Sequence, residues 1–67
     1  MDLAKNFGKK LVLIRQAQDT TQLQLALNAD IDRSYVGRIE RGEVNITLDI
    51  LYKLAKTLDC DPVDLLP

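Results

Sequence analysis

Apolar residues recur along the chain at the three- and four-residue steps of an α-helix, and no run alternates polar and apolar long enough to predict a strand. Leu3, Phe7, Leu11 and Ile14 step by four, four and three, which predicts a first helix over about residues 3–17 with Asp2 as its N-cap. Asp19, Thr20 and Thr21 interrupt that pattern. A short second helix follows from about Gln22 to Asn28, capped by Thr21, with Leu25 and Ala26 turned inward. The ADID segment is the next break, where Asp32 is placed to accept the free amides of a third helix over about residues 32–41. Val36 and Ile39 face the interior from that helix, and Gly42 is suited to end it in a left-handed conformation.

Thr47 caps a fourth helix with the clearest amphipathic stripe of the chain: Leu48, Leu51, Leu54, Ala55 and Leu58 all fall on one side. Asp61 followed by Pro62 is an N-cap with a first-turn proline, predicting a last short helix over Pro62 to Leu66. Five helices with short connections and no repeats predict an all-α bundle, residues 1–67 forming a single domain.

Sixty-seven residues leave little beyond one core, so a pocket for catalysis is not expected. There is no histidine, and a lone Cys60 makes neither an intrachain disulfide nor a zinc site. No metal, cofactor or enzymatic activity is therefore expected. No apolar run approaches the roughly 20 residues of a membrane span, and MDLAKNFGKK lacks the apolar segment of a signal peptide, so the expectation is a cytoplasmic protein with no membrane contact.

Charge changes the picture more than composition does. The net charge of −1 is unevenly distributed: residues 1–18 carry +3, residues 19–30 carry −2, residues 31–41 carry +1 and residues 42–67 carry −3. Arg33, Arg38 and Arg41 crowd into DRSYVGRIERG, interleaved with apolar residues. A polyanion would be met by one face of this molecule.

The second and third helices with their short break form the order of a helix-turn-helix, whose second helix enters the DNA major groove. Thr21-Gln22, Leu25-Ala26, Ile31 and Ile39-Glu40-Arg41-Gly42, with Arg15 upstream and LDILYKLAKTL downstream, match in register the pattern of a known family. The segment resembles the phage-repressor-type (Xre, or Cro and cI) helix-turn-helix family over about residues 5–60. DRSYVGRIERG followed by Asn45 is further similar to the small controller proteins of restriction-modification systems, which autoregulate an operon. The resemblance implies a five-helix, lambda-repressor-like fold and a sequence-specific transcriptional regulator, either a repressor or an autoregulator. The alternative is an antitoxin-like or other protein-interaction module of the same fold.

By that resemblance Arg33, Ser34 and Arg38 are the base-reading residues, an arginine there donating two hydrogen bonds to guanine O6 and N7. Thr21, Gln22, Tyr35, Arg41 and Asn45 are the candidate phosphate contacts, Gln22 at a helix N-terminus that already favours an anion. For Tyr35 the alternative is that its ring packs at the seam of the second and third helices. Arg15 and Glu40 are implied to be a partly buried ion pair rather than DNA contacts.

The sequence departs from the family at Val12, Leu13, Leu23 and Leu27, where relatives are commonly polar, at Asp30, often glycine, and at Ile46, often proline. The favoured expectation is a core wrapped further round the helices. An apolar patch for a second protein through Leu13, Leu23 and Leu27 is the alternative. Asp30 is expected to face away from the DNA backbone or to repel it. One recognition helix reads only a few base pairs, so a homodimer on a two-fold operator is expected. Ile50, Val63, Leu65 and Leu66 are its candidate interface, being apolar residues beyond those the core requires; the alternative for Leu65 and Leu66 is that they cap the core of the monomer.

Overall fold

The structure, a computed structural model, describes residues 2–67. Its five helices are α1 (Leu3–Ala17), α2 (Gln22–Ala29), α3 (Arg33–Glu40), α4 (Leu48–Thr57) and α5 (Pro62–Leu65). Each starts where a side chain can replace a missing intrahelical partner. Asp2 accepts from the Lys5 amide at 3.0 Å, Asp32 from Ser34 at 3.0 Å, and Thr47 from Ile50 at 3.3 Å. Thr21 accepts from the Gln24 amide at 3.1 Å while the Gln24 side chain accepts from the Thr21 amide at 2.8 Å, a reciprocal capping box. Asp61 caps α5 through the Val63 amide at 3.1 Å.

The helix ends share one device. Asp19, Asp30, Gly42 and Asp59 follow α1, α2, α3 and α4 with φ of 52°, 57°, 75° and 52°. Each donates its amide back into the helix, and so does the next residue, as when Gly42 donates to the Ile39 carbonyl and Glu43 to that of Arg38, both at 3.0 Å. This is the Schellman arrangement, which satisfies otherwise orphaned carbonyls. The sequence predicted it only at Gly42. Aspartate tolerates the left-handed region better than most residues, which makes the other three ends possible.

All five helices contribute to one interior: Phe7 and Leu11 from α1, Leu25, Ala26 and Ala29 from α2, Val36 and Ile39 from α3, Leu51, Leu54 and Ala55 from α4 with Leu58 just beyond it, and Leu65 from α5. Each leucine fully removed from water adds about 1.5–3 kcal/mol. Polar ties close the periphery, with Gln18 donating to the Leu58 carbonyl at 2.6 Å and Lys10 to that of Leu66 at 2.7 Å.

Four expectations are corrected here. Leu3 and Leu48, assigned to inward stripes, are 61% and 74% exposed. Each is the first residue of its helix, and Leu48 lies about 70° from the centre of the α4 stripe at 100° per residue. Leu13, Leu23 and Leu27 do not extend the core; they remain exposed because the helices that could cover them pack on the opposite faces of α1 and α2. Leu65 is not a surface residue of a dimer patch but is completely buried, since α5 is a single turn whose one inward position fills the interior beside α1 and α4.

Gly8 sets how closely α1 and α3 cross. A Cβ there would lie 2.5 Å from the Glu40 carbonyl oxygen and 2.6 Å from that of Ile39, so backbone meets backbone with no room for a methyl group. By helix propensity alone, Gly8→Ala would add about 1 kcal/mol. The crossing reverses the sign: the variant is expected to lose about 1–3 kcal/mol of stability, read as a lowered urea midpoint.

Candidate nucleic-acid interface

The frame of the site is a polar network at the junction of α1, α2 and α3. Glu40, the last residue of α3, accepts from Arg15 Nε at 2.6 Å and from Arg15 Nη2 at 3.1 Å, a two-pronged ion pair. The two side chains are only 12% and 4% exposed. Arg15 Nη1 also donates to the Thr20 carbonyl at 2.9 Å, just before the cap of α2. Gln22, the first residue of α2, donates from its side-chain Nε2 to Glu40 Oε1 at 2.6 Å. One carboxylate thereby holds the end of α3 against α1 and against the start of α2. Gly8 is one turn from Leu11 and two from Arg15 on the same face of α1, so the close crossing and the ion pair belong to one contact.

That frame presents α3. Arg33, Ser34 and Arg38 are exposed, and together with Gln22, Gly37 and Arg41 they line one open concavity on the outer side of α2 and α3. Ser34 Oγ donates to Asp32 Oδ1 at 3.1 Å, so its proton is engaged by the helix cap and its lone pairs face outward as acceptors. Arg33 and Arg38 have no protein partner within hydrogen-bonding distance among the described residues.

Two residues that meet the Arg41 side chain went unnoticed in the sequence. Gly37 lies inside α3, where glycine costs about 0.8–1 kcal/mol relative to alanine. A Cβ there would be 3.1 Å from Arg41 Nη1 and 3.8 Å from Gln22 Oε1, so the missing side chain is the space that the Arg41 guanidinium crosses. Glu43 is the second: it accepts from Arg41 Nε across an exposed pair. The hydrogen bond from Arg41 holds the Glu43 carboxyl below the usual carboxylate range, with the attraction of Arg38 acting in the same direction. The legible signal for the first was a glycine within an amphipathic helix. For Glu43 there was none.

The remaining candidates divide by place. Thr21 is exposed and caps α2, its oxygen held by the Gln24 amide. Tyr35 is half-buried with its ring packed against the core, while its hydroxyl has no partner among the described residues. Asn45 is not brought into the row; it lines a separate concavity with Leu3, Phe7, Val44, Ile46 and Leu66. Asp30 sits with Lys53 and Lys56 in another concavity, away from Arg33 and Arg38. Cys60 is half-buried, and burial first, then Asp64, Asp61 and Asp59, pushes its thiol pKa up, which keeps it protonated and unreactive.

A family model described as helix-turn-helix matches residues 11–65, which include the Arg15–Glu40 network and the whole of α2 and α3. This chain belongs to the helix-turn-helix family. Within the family, the control protein C.BamHI of Bacillus amyloliquefaciens is 41% identical over 61 residues, covering 90% of this chain and 75% of that protein. Control protein C.SmaI of Serratia marcescens is 36% identical over 59 residues, covering 88% and 70%. Among solved structures, the restriction-modification controller protein C.AhdI from Aeromonas hydrophila superposes with a TM-score of 0.92 at 41% identity, covering 94% of this chain and 96% of that one. The helix-turn-helix unit of this family member is α2, the left-handed turn at Asp30, and α3.

Removing Glu40 strands a nearly buried guanidinium. Glu40→Ala is expected to cost about 3–5 kcal/mol in chemical denaturation, whereas replacing both partners, Arg15→Met with Glu40→Leu, is expected to recover most of that loss.

Proposed function

We propose that the chain is a sequence-specific DNA-binding transcriptional regulator that places α3 in the major groove. The observation that carries this reading is the row of Arg33, Ser34 and Arg38 along one exposed face of α3, held from behind by a network with almost no solvent access. Eight residues of helix span about 12 Å, the width of the B-DNA major groove. Arg33 and Arg38 donate to guanine edges, and Ser34 offers its outward lone pairs to a base donor.

Thr21, Gln22 and Tyr35 then meet backbone phosphates, which fix register without reading sequence, while Arg41, expected among them, lies beside Arg33, Ser34 and Arg38. Gln22 uses one amide hydrogen on Glu40 and keeps the second for a phosphate. Asn45 would reach a phosphate only beyond the end of α3. Regulation of this kind needs occlusion of a promoter or recruitment of polymerase beside it, in the cytoplasm and without chemistry. The likeness to control proteins supports an operon-autoregulating role.

The exposed Leu13, Leu23 and Leu27, at 67%, 45% and 70%, favour a second reading in which the same fold binds another protein, as an antitoxin does. Salt distinguishes the two, because phosphate contacts weaken steeply as salt rises and an apolar contact does not.

Selection of bound sequences from random duplexes, repeated with Arg33→Ala, tests the regulator. The variant is expected to lose about 1–3 kcal/mol on the selected site and to relax preference at one base pair. An unchanged preference refutes base reading by Arg33.

A two-fold operator read by a homodimer accompanies this function, with half-sites about 34–36 Å apart. The surface that remains for it after Leu65 is assigned to the core is Val63, 61% exposed, Leu66, 43% exposed, and the half-buried Ile50. Sedimentation at micromolar concentration is expected to show a dimer for the wild type and a monomer for Val63→Glu, with Ile50→Glu shifting the same way. A wild type that stays monomeric on a palindromic duplex refutes the dimer.

A further inference from the structure

The chain after α3 is fixed before its side chains are considered. Gly42 adopts φ 75° under α1, where a Cβ would lie 2.7 Å from Lys5 Cα, and the Glu43 amide is anchored to the Arg38 carbonyl at 3.0 Å. From that anchor the Glu43 carboxylate turns back to Arg41 Nε. The Arg41 side chain in turn runs back over α3, its Nη1 passing above Gly37, and joins Gln22, Arg33, Ser34 and Arg38 around the same concavity. With Nε occupied, the two Nη groups are the edge that remains for DNA.

An arginine free to swing at the end of a helix satisfies any phosphate within reach. One held across a helix face meets only what lies in front of that face. We propose that Glu43 is a positioning residue for Arg41 and a determinant of sequence selectivity: its carboxylate holds the guanidinium over Gly37 in the base-reading row, while its negative charge disfavours approach of backbone phosphates. Random DNA is therefore bound weakly, and a cognate site is bound through a guanidinium already directed at the groove. The partner is double-stranded DNA, so this role rests on the regulator reading above.

The ion pair is open to solvent, with the Arg41 and Glu43 side chains 60% and 48% exposed, so its removal leaves the fold intact, as a thermal melt of each variant will check. Affinity is measured for a selected duplex and a scrambled duplex of equal length, using wild type, Glu43→Gln, Arg41→Ala and the double variant. Glu43→Gln is expected to tighten binding to the scrambled duplex about 3–10-fold, the scale of one phosphate contact, and to change cognate binding by less than about twofold. In the Arg41→Ala background, Glu43→Gln is expected to leave the ratio of the two affinities unchanged. Equal tightening on both duplexes, a ratio loss that persists without Arg41, or no effect at all would each overturn the role of Glu43. A wild type that prefers no duplex would instead overturn the regulator reading itself, a separate result.

Discussion

The nearly buried carboxylate of Glu40 is the constraint on which the rest of the molecule depends. A single charged group at the end of α3 is shared by an arginine two turns along α1 from the tightest backbone crossing and by the first side chain of α2. Apolar packing specifies that these helices associate, but it is non-directional and tolerates sliding. The fork of hydrogen bonds fixes where α3 stops and how it is rolled about its own axis. Because the direction of Arg33, Ser34 and Arg38 is set by that roll, the accuracy of the outer face is established on the inner one.

This division also explains the charge pattern. The cationic row lies on the outer side of α2 and α3, whereas Asp30 pairs its neighbourhood with Lys53 and Lys56 in a different depression. A slightly acidic protein therefore carries a face suited to a polyanion. The field that steers association depends on such local arrangement rather than on total charge.

Helix boundaries were largely legible in the sequence, because capping is local chemistry: Asp2, Thr21, Asp32, Thr47 and Asp61 announce five starts, and all five are occupied as caps. Facing was legible within helices of two turns or more, where Leu25, Ala26, Val36 and Ile39 are buried as expected, and failed at helix ends. Leu51, Leu54, Ala55 and Leu58 obeyed it; Leu48 at the helix end did not, and neither did Leu65, on a single turn too short for periodicity to rank its positions. Leu13, Leu23 and Leu27 show the same limit, since hydrophobicity alone does not say whether a neighbour arrives to cover a face. In the candidate interface, Arg33, Ser34 and Arg38 follow from position on one helix. The bond from Gln22 to Glu40 and the course of Arg41 over Gly37 depend on side chains meeting in three dimensions, which no spacing rule encodes.

Three of the four left-handed helix ends are aspartates, and a carboxylate there is disfavoured twice, by its Cβ against the following carbonyl and by the negative end of the helix dipole. Only at Gly42, where α1 lies on top, is glycine sterically required. Asp19, Asp30 and Asp59 are accordingly sites of mutational slack. They touch neither the interior nor the row of Arg33, Ser34 and Arg38, so replacement by glycine relieves backbone strain without altering either. Such positions let a small helical domain change the outer face of α3 and offset the lost stability elsewhere, which gives a 67-residue chain room to vary that face.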